Sequence, residues 1–220
     1  MTTLTQEGPV WTLDLGSDEN RFSPDRLDAL EAHLATLADG SEPAVLVTIG
    51  SGKFWSNGLD LDWLGEHPDQ LGPYVDRVHA LFARVLTLPV PTVAAVNGHA
   101  FGGGAMLAMA HDYRVMRDDR GYFCFPEVDI HIPFTEGMAA LIMAKLTPRA
   151  AVDSMTTGRR YAGPDALATG LVDGVAGLDA LPAAAADLVR DLAGKDRATL
   201  AAIKRTMFAD VLDALSRPQA

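Results

Sequence analysis

Residues 96–108 read VNGHAFGGGAMLA, a strand end, a glycine-rich loop and the opening of a helix. Glycines let the backbone pass close to a ligand, and a new helix presents unpaired N–H groups at the positive end of its dipole. Close helix packing is the other reading of the same run. The spacing is not that of a dinucleotide fingerprint, and no suitable acid stands about 20 residues on to hold a ribose.

Working outward, TVAAV at 92–96 makes a short strand behind Pro89 and Pro91, and a helix is expected over 71–87. PAVLVTI at 43–49 is a continuous apolar run between turn residues, which suits a buried strand. Ser23 and Pro24 open a helix as N-cap and first helical residue, with Leu27, Leu30, Leu34 and Leu37 on one face and Gly40 closing it. PVWTLDL at 9–15 alternates like a half-buried strand. Downstream, strands are expected near 113–117 and 121–125 and helices near 135–146 and 148–156; beyond about residue 176 the chain reads as helical and alanine-rich. Strands alternating with helices predict an α/β protein with crossover connections. There is no sequence repeat and no low-complexity linker.

A length of 220 residues suits one domain with a helical appendage. The formal net charge of −11 argues against nucleic acid as a main partner, although a few local cations can still hold a nucleotide phosphate. Cys124 is the single cysteine, so no internal disulfide is possible and a reducing compartment is expected. MTTLTQEGPVW lacks the basic flank and apolar run of a signal peptide, and no stretch reaches membrane-spanning length. The expectation is a cytoplasmic protein without a membrane partner.

Two further segments bear on chemistry. KFWSNGLDL at 53–61 is a strand end and a tight turn around Asn57-Gly58, which either simply leads into a helix or leaves N–H groups pointing inward. FPEVDIHIPF at 125–134 sets Glu127 among Phe125, Val128, Ile130 and Ile132. Such a carboxylate is usually exposed; facing a pocket instead, it would gain basicity from desolvation. Two backbone donors and one apolar-flanked carboxylate suit enolate chemistry beside a thioester, the base taking a proton and the donors holding the charge on oxygen.

Other motifs do not develop. GSGKFWSNG at 50–58 looks like a phosphate loop, but Phe54 stands where Ser or Thr is required. Ser56 has only half of a nucleophile elbow, the six histidines lack zinc spacing, and His111-Asp112 reads as a helix cap and core contact.

Taken together, and with TGRRYAGPDALATGLVD at 157–173, these segments resemble the crotonase (enoyl-CoA hydratase/isomerase) family in order and separation, over about residues 10–175. The resemblance implies a crotonase-type spiral of ββα units over 1–175, carrying an acyl-CoA site, and a helical region at 176–220 for packing and trimerisation, as a homotrimer or dimer of trimers. It places the two oxyanion donors on the backbone N–H groups of Leu59 and Gly103. Of the two glutamates of family hydratases, the later falls on Glu127, whereas the earlier falls on Met106, which cannot activate water. The implied activity is isomerisation of 3-enoyl-CoA to 2-enoyl-CoA in fatty-acid β-oxidation, with Glu127 as single acid/base and no cofactor beyond the coenzyme A of the substrate.

By the same resemblance Ser56, Asn57 and Gly58 lie beside the pantetheine, Met106 and Phe134 line the acyl site, and Lys53 and Lys204 are candidates for the nucleotide phosphates. Glu136 stands nine residues beyond Glu127, where dienoyl-CoA isomerases carry an aspartate eight residues on. It is either a second acid/base lining the site or a helix N-terminal carboxylate. The alternatives are a dienoyl-CoA isomerase or other acyl-CoA enzyme using Glu136, an enoyl-CoA hydratase, and a catalytically idle acyl-CoA-binding protein of the same fold.

Overall fold

Apolar runs flanked by turn residues become the strands of a large sheet in the computed structural model, which describes residues 1–219. β1 (Thr3–Glu7) and β2 (Val10–Asp14) form a hairpin that leads to α1 (Pro24–Asp39). Ser23 caps α1 by accepting from the Arg26 N–H, Pro24 stands in its first turn, and Leu27, Leu30, Leu34 and Leu37 are its buried stripe.

A unit then occurs three times: a strand, a second strand, and helix. The first is β3 (Val45–Ile49), β4 (Phe54–Ser56), α2 (Leu61–Glu66) and α3 (Leu71–Leu86). The second is β5 (Thr92–Val96), β6 (His99–Phe101) and α4 (Gly103–Ala110). The third is β7 (Tyr113–Arg117), β8 (Phe123–Cys124), α5 (Glu136–Lys145), α6 (Pro148–Thr157) and α7 (Gly163–Thr169). β9 (Gly174–Ala176), α8 (Leu181–Arg190), α9 (Arg197–Met207) and α10 (Ala209–Leu215) complete the chain.

The first strand of each unit joins a six-stranded sheet ordered β1-β2-β3-β5-β7-β9, parallel apart from the hairpin. The second joins a small parallel sheet ordered β4-β6-β8. The chain therefore winds as the expected spiral of ββα units.

Period-two alternation divides the large sheet between two cores. Leu46, Ala94, Val96 and Met116 face the core shared with α1, α3 and α4, whereas Val45, Val47, Val93, Ala95 and Val115 face Leu181, Ala185 and Val189 of α8. Part of the helical tail is thus the cover of the sheet, and α10 lies against α5 and α3. His111 is buried at the end of α4, bonded to Leu107 and to Thr48 Oγ1. No helix among the described residues is long and apolar enough to cross a membrane.

Several short elements were not expected from the sequence, notably β6, whose three residues are too few to display a period. The strand expected near 121–125 contracts to Phe123–Cys124, because Gly121 takes φ +96° against the Gly98 backbone. One close approach positions the site. A Cβ on Gly104 would lie 2.1 Å from the Ser56 carbonyl oxygen, so only glycine lets α4 start directly against β4.

Candidate active site

The turn after β4 is braced from within. Ser56 Oγ donates to the Asn20 carbonyl at 2.7 Å and accepts from the Gly58 N–H at 3.0 Å. Gly58 holds φ +74°, and a Cβ on it would stand 2.5 Å from the Gly103 nitrogen. Its carbonyl accepts from the Phe22 N–H at 2.7 Å, and the Leu59 N–H of the same trans peptide must point the opposite way. That N–H has no acceptor among the described residues.

Gly103 is the first residue of α4, and its cap Gly102 has no side chain to offer the helix. The Gly103 N–H also has no acceptor among the described residues. A Cβ built on Gly103 would lie 3.4 Å from the Leu59 nitrogen, so the two free N–H groups are neighbours. The positive end of the α4 dipole adds to their attraction for negative charge.

Glu127 follows β8 at the start of one helical turn, in which Asp129 and Ile130 N–H both donate to the Pro126 carbonyl. It is 8% exposed, and its Oε2 is buried without a partner. A Cβ on Gly102 would lie 3.3 Å from Glu127 Oε1, which puts the carboxylate beside the two donors. Burial pushes its pKa up to about 7, opposed slightly by its own backbone N–H. Glu127 is therefore buried and not at a strand edge.

These groups share a cavity of about 80 Å³ walled by Asn57, Leu59, Leu61, Phe101, Gly102, Gly103, Met106, Pro126, Glu127, Ile130, Ile132, Pro133 and Met138. Glu127 is its single carboxylate. Met106 lies one helical turn past Gly103 on the same face, 1% exposed. An open groove of about 620 Å³ continues past Glu127, Ile132 and Pro133 to Phe134 and Met155. Met138 of α5 closes the inner cavity, and nothing local in the sequence distinguishes it from a core methionine. Among the described residues no group of three or more His, Cys, Asp or Glu could hold a metal ion.

The remaining expected site residues divide. Asn57 lines the cavity with Oδ1 buried and unpartnered, and Gly58 packs on Gly103. Phe134 belongs to the outer groove, edge-on to Phe125 at 6.3 Å. Lys53 is exposed, its ammonium 5.0 Å from the Phe54 ring centroid and off the cavity wall.

Two expectations are corrected, and the two readings of Glu136 are narrowed to one. Ser56 is fully buried, so its side chain holds the turn from inside and cannot touch a pantetheine. Lys204 is 4% exposed and donates to the Leu88 and Val90 carbonyls and to Asp112 Oδ2. With all three ammonium donors committed, it has none for a phosphate. Glu136 stands at the start of α5 with its side chain 74% exposed, paired with Arg217 and lining neither the cavity nor the groove. It is a helix N-terminal carboxylate rather than a substrate contact.

The model of the enoyl-CoA hydratase/isomerase family matches residues 10–219. Enoyl-CoA delta isomerase 3 of Arabidopsis thaliana is 38% identical over 80% of this chain and 77% of that protein. A carnitinyl-CoA dehydratase of Salmonella typhi is 34% identical over 91% of this chain and 77% of its own. Among solved structures, a probable enoyl-CoA hydratase from Mycobacterium tuberculosis H37Rv superposes with a TM-score of 0.89 at 26% identity, over 97% of this chain and 91% of that one. With its spiral fold and its paired N–H groups beside Glu127, this chain belongs to the enoyl-CoA hydratase/isomerase (crotonase) family.

Proposed function

We propose that this protein is an enoyl-CoA delta isomerase that moves the double bond of a 3-enoyl-CoA to position 2 in fatty-acid breakdown, using Glu127 alone as acid and base. One observation carries the reading: Glu127 is the single carboxylate on a cavity that also holds the free N–H groups of Leu59 and Gly103. The 38% identical plant relative bears the name of that activity.

The thioester oxygen is held by the two N–H groups. The Glu127 carboxylate takes a proton from carbon 2, and the electron pair moves through the carbonyl to form a dienolate. The same proton is returned to carbon 4, the electrons re-form a double bond between carbons 2 and 3, and Glu127 ends as a carboxylate. A pKa near 7 suits a group that must both take and give a proton at neutral pH. No cofactor takes part beyond the coenzyme A of the substrate.

Hydration requires a second acid/base group facing the first, and Met106 occupies that wall. The exposed position of Glu136 likewise weakens a dienoyl-CoA mechanism. The open groove beyond Glu127 suits the acyl chain, Asn57 and Gly58 lie beside the pantetheine, and Lys53 is available to the nucleotide phosphates. The tail residues Leu188, Ile203 and Met207 leave apolar surface that suits neighbouring copies in a trimer or a dimer of trimers.

The experiment is a panel of 3-enoyl, 2-enoyl and dienoyl thioesters, assayed with wild type and Glu127→Gln. The expected result is turnover of the 3-enoyl thioester, reduced about 10²–10⁴-fold in the variant while acyl-CoA binding survives. Near-normal turnover by folded Glu127→Gln overturns the assignment. Failure of the wild type to convert any thioester makes the protein an idle binder.

A further inference from the structure

We propose that Tyr74 is a positioning residue for the oxyanion-stabilising backbone, its hydroxyl closing a ring of hydrogen bonds that aims the Leu59 N–H into the Glu127 cavity. Tyr74 lies in the first turn of α3 and is 3% exposed, with its ring 5.5 Å from that of Trp63. It lies outside the cavity wall and touches no reacting atom.

The ring runs through five residues. The Asp60 N–H donates to Tyr74 Oη at 2.8 Å, and the Tyr74 O–H donates to the Phe22 carbonyl at 2.9 Å. The Phe22 N–H donates to the Gly58 carbonyl at 2.7 Å, and the chain from Gly58 through Leu59 to Asp60 closes the circuit. Because the peptide is planar and trans, anchoring the Gly58 carbonyl on one side directs the Leu59 N–H to the other. A carbonyl that accepts a hydrogen bond also polarises its own N–H, which makes that N–H a better donor.

Upstream, the turn has other holds: the Asn57 N–H donates to the Glu19 carbonyl and the Gly58 N–H to Ser56 Oγ. Downstream of Leu59, the Asp60 N–H bond to Tyr74 fixes the peptide before α2 begins. Burial lifts the phenol to about 12, so the hydroxyl stays neutral and serves as donor and acceptor together. Losing it frees the Leu59–Asp60 peptide to turn and removes the partner of the Phe22 carbonyl. An oxyanion donor displaced by a fraction of an ångström loses much of its effect on the transition state and little of its effect on binding.

The inference rests on reading the Leu59 N–H as an oxyanion donor, and the test separates the two. Tyr74→Phe, which keeps the ring against Trp63, is compared with wild type and Glu127→Gln on 3-hexenoyl-CoA. Infrared difference spectra of bound hexanoyl-CoA, labelled with ¹³C at the thioester carbonyl, are recorded for the same proteins. The expected result is a kcat lower by about tenfold or more with KM within about threefold, and a carbonyl band that moves back toward its frequency in water. A kcat within about twofold of wild type with an unmoved band overturns the inference and leaves the isomerase reading intact. A wild-type band that does not shift on binding overturns the oxyanion reading and this inference with it.

Amide hydrogen exchange on the wild type needs no variant to fold. In the free protein the Asp60 amide should be protected and the Leu59 amide open, with Leu59 slowing when hexanoyl-CoA binds. An Asp60 amide as fast as those of exposed loops overturns the ring.

Discussion

Glu127 combines a position that disfavours charge with a proposed task that requires it. Its folded pKa of about 7 against an ordinary 4.5 means that the native state prefers the protonated acid. The unfolded chain ionises first as pH rises, so the associated stability is complete below about pH 4.5 and is lost as pH passes through 7. At pH 8 Glu127→Gln should therefore be more stable than wild type by roughly 3 kcal/mol, the gap closing below pH 5, as read by denaturant unfolding at both pH values. The proposed catalysis has the opposite sign, because a base must be ionised to act. kcat/KM on a 3-enoyl-CoA should rise with pH and level off above about 7, and a profile already flat from pH 5 would refute the buried-base account. Met106 is the second residue on which the proposed single-base mechanism turns. Met106→Glu should bring detectable hydration of 2-enoyl-CoA, still slow because the new carboxylate lacks supporting hydrogen bonds and desolvation favours its protonated form. The loss of the conjugated thioester's ultraviolet absorbance measures it, and vigorous hydration by the unmodified protein would refute the single-base mechanism.

At the scale of elements, the helices before and after the Glu127 turn begin in different ways. α4 begins on glycines with no side-chain cap, so its first N–H groups stay free for a ligand. α5 begins on Thr135, whose hydroxyl accepts from the Met138 N–H, with Glu136 behind it in the favourable end of the dipole. Glu136 thus stabilises the helix that delivers Met138 to the cavity. Glu136→Gln should lower turnover of 3-enoyl-CoA by less than about tenfold and cost about 0.5 kcal/mol in stability. Steady-state kinetics beside Glu127→Gln checks this, and equal losses in the two variants would favour a two-carboxylate mechanism.

Over the whole molecule, burial separates the tail's part in covering the sheet from its proposed part in assembly. Leu181 is fully buried against the large sheet, so Leu181→Ala should cost about 2–4 kcal/mol in a denaturant titration. Ile203 and Met207 are 51% and 66% exposed, and replacing both by Ser should leave folding unchanged while shifting sedimentation toward monomer. A wild-type protein that sediments as a monomer at micromolar concentration would remove the assembly proposal.

Residue chemistry by itself determined the local features of this protein. Ser23-Pro24 and the leucine stripe specify α1, and alternating or continuous apolar runs specify β2, β3, β5 and β7, since caps and periods act between near neighbours. The glycine run and the order of Asn57-Gly58-Leu59, Gly103 and Glu127 were also legible, because backbone freedom and carboxylate chemistry belong to the residues themselves. Tertiary structure alone decided which polar groups remain free. Ser56 and Lys204 are ordinary surface types that long-range carbonyls draw into the interior, whereas Glu127 is left buried with Oε2 unpartnered. Tyr74 reads as one more residue on an apolar helix until folding sets its hydroxyl between Phe22 and Asp60. Burial and pairing arise from contacts between segments far apart in the chain, and the same side chain suits either outcome until those segments meet.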